Sequence, residues 1–454
     1  MADITAPNLF NHPKLIPGSF LEDSGDFKHF EKDDFRFTAA TKPTSLTSVD
    51  HLWGSIHETS QWGSLAQNNG GMSRLSLSDQ DKDVRNWFIQ EAGKLNCQIR
   101  VDAVGNIFAI LQGENTDIPP IGVGSHLDTQ PAGGRFDGIL GVLAGLEILR
   151  TIVREGARYT SGCTGSAVWS GHVPLREAYQ MPTSDGSSTL GQELQRIGYL
   201  GRWEASHKIL PLSAHFELHI EQGHRLEDAR KKIGVVDAIQ GIRWYTVTVR
   251  GEQAHAGATP VMNRADAVVA MSKVVVKLEQ LALETGVFAT VGEITVESGS
   301  SNVISGLTHF TVDLRHPRES LLDEVEHCMC AEMSEISQTK NGRVSFAVKR
   351  VWHSPAVFLD PLAVQCVQDA AHEVVGVDQL MPEMISFAGH DIAPVASNGT
   401  PTAMIFVPSL KGISHAPEEW TSKEDCGLGT EVLYHAVRKF DQHLQRKEES
   451  LANI

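Results

Sequence analysis

A short apolar strand followed at once by a polar, glycine-rich loop and a long apolar helix limits this chain more than any other feature. The run "PIGVGSH" reads as a strand that ends in small residues, and after "LDTQPAGGRFDG" the run "ILGVLAGLEILRTI" carries apolar residues at helical spacing. A strand leading into a crossover helix is the opening of a parallel α/β sheet. Such a sheet places its ligands at the carboxyl ends of its strands, which is where Gly-Ser-His delivers His126.

Residues 1 to about 45 are polar and aperiodic and read as an N-terminal extension. Helical text over Lys82–Leu95 precedes the strands in "QIRVDAVGNIFAIL", and "SAHFELHIEQG" is a further strand with a polar end. From "WYTVTVRGE" to "RVSFAVKRV" the order becomes β-α-β-β-α-β, that of a self-contained ferredoxin-like unit of about 110 residues. Text from "SPAVFLDPLAVQCVQDAAHEVV" returns to α/β style. The predicted division is therefore 1–45 as extension, 46–240 with 354–454 as a catalytic domain, and 241–353 as an inserted unit.

With 454 residues and 41 % apolar content the chain can build a large core, and no apolar run approaches the ~20 residues of a membrane span. The first twenty residues lack a basic stretch followed by an apolar one, so a cytoplasmic protein is expected. A formal charge of −17 argues against nucleic acid as partner. Six scattered cysteines lack finger spacing and read as free thiols.

Polar chemistry concentrates in four places. "GSHLDTQPAGGRFDG" offers His126, Asp128 and Asp137; "HFELHIEQG" offers His215, Glu217, His219 and Glu221 on one strand face, followed by Gln222; "RGEQAHAGATP" places His255 in a turn; and "KGISHAPEEW" carries His415. Imidazole and carboxylate are ligands for zinc and similar ions, and an H-x-D pair lets the second residue orient the first.

Together with "SNVISG" and "DLRHP", these motifs resemble the carbamoyl-amino-acid hydrolase branch of the aminoacylase-like metallopeptidase superfamily, over roughly Ser45 to Gln445. The branch includes fungal-type β-ureidopropionase, N-carbamoyl-L-amino-acid hydrolase and allantoate amidohydrolase. The resemblance implies a zinc-exopeptidase-like catalytic domain with an inserted ferredoxin-like dimerisation or lid domain. It also implies a homodimer that hydrolyses a small ureido acid with two zinc ions per subunit, Mn2+ or another divalent ion being an alternative. By motif, His126, Asp137 and His219 match the ligands of one metal and Asp137, Glu155 and His415 those of the other, with Asp137 bridging. Asp128 matches the carboxylate that orients His126; His255 and Asn302 match residues that meet the substrate; Arg315 matches the arginine that grips its carboxylate, and Gln222 is assigned to the same pocket.

One stretch departs from the pattern. In "TIVREGARYTSGCTGS" Glu155 matches the metal ligand, but Arg154 stands where the resemblance calls for a glutamate as general base, and the strand before it is absent. An arginine cannot accept a proton at neutral pH. If Gly138–Arg150 is helical, it carries the chain about 20 Å from the metal edge, and four extended residues return at most about 14 Å. A gap in the sheet, doubtful occupancy of the second metal position and weak or absent turnover are therefore expected. A shortened gene product or an inactive homologue that binds ureido acids would both carry this sequence.

Overall fold

The computed structural model describes residues 46–65, 71–113, 118–153, 163–183, 187–297 and 300–452, so the predicted extension over 1–45 and the segment with Arg154 and Glu155 lie outside the described residues. The described residues build two large sheets and two two-stranded ones. The larger has six strands: Val357–Phe358, Ile233–Ile239, Thr402–Val407, Ala214–Ile220 and Ile121–Val123 in that order, with Leu380–Ser386 also paired to Ile233–Ile239. Ile121–Val123, Ala214–Ile220 and Thr402–Val407 run parallel to one another, and Ile233–Ile239 runs antiparallel to Thr402–Val407.

Helices cover this sheet, so its central strands are buried on both faces. Every residue of Ala214–Ile220 and of Thr402–Val407 is buried. Phe216, Leu218 and Ile220 join Leu140, Leu143, Val432 and Leu433 in the main core, each such side chain contributing about 1.5–3 kcal/mol by its removal from water. The alternate residues of the same strand are His215, Glu217 and His219, which are also buried. Polar groups are costly there unless they are partnered, which marks that face as more than packing.

The helices begin where local chemistry dictates. Ser48 and Ser78 cap Val49–Thr59 and Asp79–Lys94, and Asp360 with Pro361 starts Pro361–Val375. Crossover helix Ile139–Val153 extends through three of the four residues that were counted toward the return. After it come Cys163–Trp169, Leu175–Tyr179 and Leu190–Ile197, short helices that the sequence reading did not resolve.

Among the described residues, Ile121–Val123 pairs only with Ala214–Ile220. The hairpin Gln98–Val101 with Ile107–Ile110 forms a two-stranded sheet of its own, although all four residues of Ile107–Ile110 are buried. Among the described residues the larger sheet thus ends at the three-residue strand Ile121–Val123.

The smaller sheet follows the order Ser345–Ser354, Gly241–Arg250, Leu307–His316, Phe288–Thr290, with Ile294–Val296 also on Leu307–His316. All its pairs are antiparallel. Helices Ala267–Thr285 and Glu319–Thr339 pack Val274, Leu278, Val325 and Met329 against Val247 and Phe310 in a second core. The chain enters at Gly241 and leaves near Ala356, and these points touch: a Cβ on Gly241 would lie 3.2 Å from the Ala356 amide. Buried Arg243 locks the junction, pairing with Glu319 at 2.6 Å, Asp323 at 2.8 Å and Glu326 at 2.9 Å. No described helix is long and apolar enough to cross a membrane. Cys97, Cys328, Cys330, Cys366 and Cys426 are free thiols.

Candidate metal centre

His126 follows the edge strand of the larger sheet, Asp137 immediately precedes the crossover helix, and His219 lies near the end of Ala214–Ile220. Their donor atoms lie within 4.8 Å of one another. Asp137 Oδ1 stands 3.3 Å from His219 Nε2 and 3.9 Å from His126 Nε2, while its Oδ2 stands 3.5 Å from His415 Nε2. One carboxylate thus presents its two oxygens to two different groups of imidazoles.

Backbone carbonyls orient two of the rings. His219 Nδ1 lies 2.9 Å from the Ile220 carbonyl and His126 Nδ1 3.0 Å from that of Asp128. Asp128 therefore orients His126 mainly through its backbone, its carboxylate Oδ1 being 3.5 Å away. With both Nδ1 protons donated, each Nε2 turns a lone pair toward the Asp137 carboxylate. Lone pairs facing a carboxylate need a cation between them, and two imidazoles with a carboxylate form a zinc-type donor set. Without a metal, protons serve: burial opposes the imidazolium, but Asp128 and Asp137 raise the pKa of His126, and Asp137 with Glu217 raises that of His219. Burial likewise opposes the Asp137 charge, yet His219, His126 and His415 hold its carboxyl far below the ordinary range.

Close packing fixes the loop. Gly138 has φ +71°, and a Cβ there would sit 2.3 Å from the His126 ring, so a side chain is excluded both by conformation and by space. Fully buried Arg74 donates to the carbonyls of Leu127, Thr59 and Trp62, holding the segment after His126. Glu419 was quoted within "APEEW" but not singled out from sequence. Its Oε1 accepts from the Phe136 and Asp137 amides at 3.1 and 3.0 Å, and its Oε2 accepts from Ser414 Oγ and the His415 amide at 3.0 and 3.3 Å. One buried carboxyl thereby ties the Asp137 loop to the His415 loop.

Gln222, assigned to the substrate pocket by resemblance, stands beside the Asp137 carboxylate. Its amide nitrogen donates at 3.2 Å to Asp137 Oδ1 and stands 3.1 Å from His415 Nε2 and 3.0 Å from Ser414 Oγ, within the metal centre itself. Gln222 and His415 both adopt left-handed backbone, with φ 56° and 55°, a strain kept where surrounding structure demands it. Glu155, the expected third donor beside Asp137 Oδ2, lies outside the described residues, as does Arg154.

The inserted-unit residues form their own groups. His255 and Asn302 come together through the ladder in which Val303 faces His255, and the Ala256 amide donates to the Asn302 carbonyl at 2.9 Å. His255 Nδ1 accepts from the amides of Gly257 and Ala258, so its ring proton sits on Nε2, exposed to solvent. Arg315 is held by Asp313, with Nε 3.0 Å from both carboxylate oxygens and Nη2 2.7 Å from Oδ2. Its Nη1 also donates to the Phe387 carbonyl at 3.2 Å.

Of the other residues on the His219 strand face, Glu221 caps the short helix Arg225–Asp228 by accepting from the Arg225 and Leu226 amides. Burial pushes His215 down to about 4, leaving a neutral ring whose nitrogens have no hydrogen-bond partner among the described residues. His390, which sequence reasoning missed, packs edge-on against His219 with ring centroids 4.6 Å apart. The signal was present: "FAGHD" repeats the arrangement of a strand, a small residue and a histidine seen at "GSHLD".

Residues 193–439 match peptidase family M20/M25/M40. The chain is 36 % identical over 418 residues to N-carbamoyl-L-amino-acid amidohydrolase of Rhizobium meliloti, spanning 88 % of this chain and 98 % of that protein. It is 31 % identical to allantoate amidohydrolase of Bacillus subtilis (strain 168), spanning 87 % and 98 %. A crystal structure of an amidase of the hydantoinase/carbamoylase family from Burkholderia vietnamiensis superposes with a TM-score of 0.80 at 35 % identity, covering 87 % of this chain and 98 % of that one. Family members generally use divalent metal ions, which agrees with the donor set around Asp137. On fold, site and sequence together, the chain belongs to peptidase family M20/M25/M40, among its amidohydrolases acting on non-peptide C–N bonds.

Proposed function

We propose that the chain is a metal-dependent hydrolase of N-carbamoyl amino acids, with 3-ureidopropionate or a similar ureido acid as substrate. One water adds to the ureido carbonyl carbon and one C–N bond breaks; the carbamic acid so formed releases carbon dioxide as its remaining C–N bond breaks, and amino acid, ammonia and carbon dioxide result. The observation that carries this reading is Asp137, whose two oxygens face His219 with His126 on one side and His415 on the other. Two zinc ions are the expected complement, with Mn2+ as an alternative; bound there, they would polarise the carbonyl and lower the pKa of water. Gln222 and Glu419 fix the donors, and the exposed Nε2–H of His255 beside Asn302 is suited to donate to the substrate carbonyl. Arg315, with its planar fork, is assigned to the substrate carboxylate. Allantoate is the alternative substrate, supported by the Bacillus subtilis relative.

Arg154 supports a second reading, in which ureido acids bind with little turnover. A general base contributes about 10²- to 10⁴-fold, and arginine cannot serve as one. The test is ammonia release from N-carbamoyl-β-alanine, with metal analysis, for this chain and for one in which a strand, a turn and a glutamate are restored before Glu155. The restored chain is expected to gain both activity and the second ion. Full activity with two zinc ions in the unrestored chain would overturn the role given to the missing segment.

Residues 241–353 are proposed as the dimerisation and lid unit inserted between catalytic segments 46–240 and 354–454. Val269, Val276 and Leu283 on one helix, and Val351 and Trp352 on the edge strand Ser345–Ser354, are exposed apolar residues of that unit. Unpaired apolar edges and patches of this kind are normally covered by a partner. Sedimentation equilibrium should give a dimer, and Val276→Asp with Trp352→Asp should give a monomer. A cytoplasmic location completes the proposal.

A further inference from the structure

We propose that Phe288 and Phe387 select among ureido acids by forming the surface on which an apolar side chain on the carboxylate-bearing carbon lies, a specificity that rests on the proposed hydrolase function and on the assignment of Arg315 to the substrate carboxylate. On the smaller sheet Phe310, Val312 and Leu314 turn toward the helices, so Arg315 and its ladder partners Ile242 and Phe288 share the opposite face. Residues paired across antiparallel strands have Cβ atoms about 4.5–5.5 Å apart, which sets Phe288 beside the Arg315 side chain. Phe387, which follows strand Leu380–Ser386 of the larger sheet, reaches the same place. Its ring centroid lies 5.4 Å from that of Phe288, and its carbonyl accepts from Arg315 Nη1 at 3.2 Å.

The ring pair adjoins the metal centre. Ser386, the residue before Phe387, has its Oγ 2.7 Å from His390 Nε2, and the His390 ring packs 4.6 Å from that of His219. Phe387 is also held in place: Gln240 Nε2 donates to its carbonyl at 2.6 Å, and the Arg225 guanidinium stands 4.6 Å from its ring centroid. Yet Phe288 is 55 % and Phe387 41 % exposed. Two touching aromatic rings kept half in water beside a guanidinium make an apolar surface next to an anion grip, and such a surface gains when a ligand covers it.

The layout of an N-carbamoyl α-amino acid fits this surface. Asp313 occupies the Nε–Nη2 edge of Arg315, so a substrate carboxylate meets the guanidinium from its Nη1 side, where Phe387 stands. The side chain of an α-amino acid hangs from the carbon that carries the carboxylate, which brings it onto the two rings. 3-Ureidopropionate has only hydrogens on that carbon beyond its main chain, and the same carbon of allantoate carries a second, polar ureido group. Neither covers the rings with apolar surface.

Isothermal titration of the zinc-loaded protein with N-carbamoyl-L-phenylalanine, N-carbamoylglycine and N-carbamoyl-β-alanine is the test. The phenylalanine derivative should bind about 10- to 100-fold more tightly than the other two, the scale on which apolar pockets discriminate. Phe387→Ala and Phe288→Ala should each cut the ratio of phenylalanine to glycine affinities about 5- to 10-fold, and Phe387→Leu, which keeps apolar area, should cut it less. Equal affinities in the unaltered protein would overturn the proposal. So would variants that weaken all three ligands alike, because rings that merely hold the two sheets together would not change the ratio. Should Phe387→Ala fail to fold by circular dichroism, Phe288→Ala decides alone. If none of the three ligands binds, the hydrolase function falls and this specificity with it, whereas equal binding removes the specificity only.

Discussion

The two oxygens of Asp137 face surroundings built by different means. On the Oδ1 side the partners come from the ends of adjacent parallel strands, with His219 2 % exposed and each ring oriented by a backbone carbonyl. On the Oδ2 side His415, with a side chain 53 % exposed, sits in a loop in strained left-handed backbone beside Gln222. A donor fixed by a sheet is positioned by the whole core, whereas a donor on a loop depends on a few local contacts. The Oδ1 side should therefore hold a metal on its own, and the Oδ2 side should depend on it.

The largest expected effect tests that ranking directly. His219→Ala should weaken zinc binding by about 10³-fold, the scale of losing one of the few ligands of a structured site, while His415→Ala should cost about 10-fold for the first ion and remove the second. Isothermal titration of metal-free protein measures both, and equal losses would break the comparison. Next in size is Glu419→Gln. Because this carboxyl joins the two loops, both sides should weaken together by about 10- to 100-fold, the usual consequence of removing a group that positions ligands. A loss confined to one side would show that the loops are independent.

Smaller still, Arg315→Ala should reduce ureido-acid affinity by about 1.5–3 kcal/mol, the range for a charged hydrogen bond, with metal content unchanged. Loss of metal would instead mean that Arg315 acts through Phe387 on the His390 loop. The smallest effect lies outside both sides and serves as control. Burial opposes the Glu431 charge, but His435 and the Leu46 and Thr47 groups hold its pKa down at about 2, below an ordinary glutamate's. A depressed carboxyl stabilises the fold above pH 4.5 and loses that contribution as pH falls through about 2. Glu431→Gln should lower the thermal midpoint at pH 7 by a few degrees, about 1 kcal/mol, with little difference near pH 2 and no change in zinc binding.

The same contrast governs what could be read from sequence. Strand-borne ligands were legible because a short apolar run, small residues and a histidine have one structural meaning in an α/β sheet; His126, Asp137 and His219 met as expected, and His415 joined them. Along 241–353 the alternation of strands and helices was legible because their periods differ, but the run read as one strand over "VFATVGEITV" is two, Phe288–Thr290 and Ile294–Val296. The metal-centre contacts of Gln222 and the role of Glu419 were not legible, because they rest on left-handed backbone and on contacts some 190 and 280 residues away in sequence, which no local period records. His390 went unread although its motif repeats that of His126. Arg154 and Glu155 were legible only as a departure from a pattern, and the backbone that follows Val153 is not among the described residues.

Because Gly241 touches Ala356, the segment that builds the smaller sheet has ends that already meet. A segment whose ends already meet closes its loop once, within itself, so that its own folding leaves almost no entropic debt for the remainder of the chain. Two strands crossing side by side also make a narrow ribbon, stiff to stretching and soft to twisting, and the Arg243 carboxylate cluster sits on it as a latch. Such a twist would carry His255 and Asn302 toward or away from Asp137, whereas Arg315 would first have to release the Phe387 carbonyl.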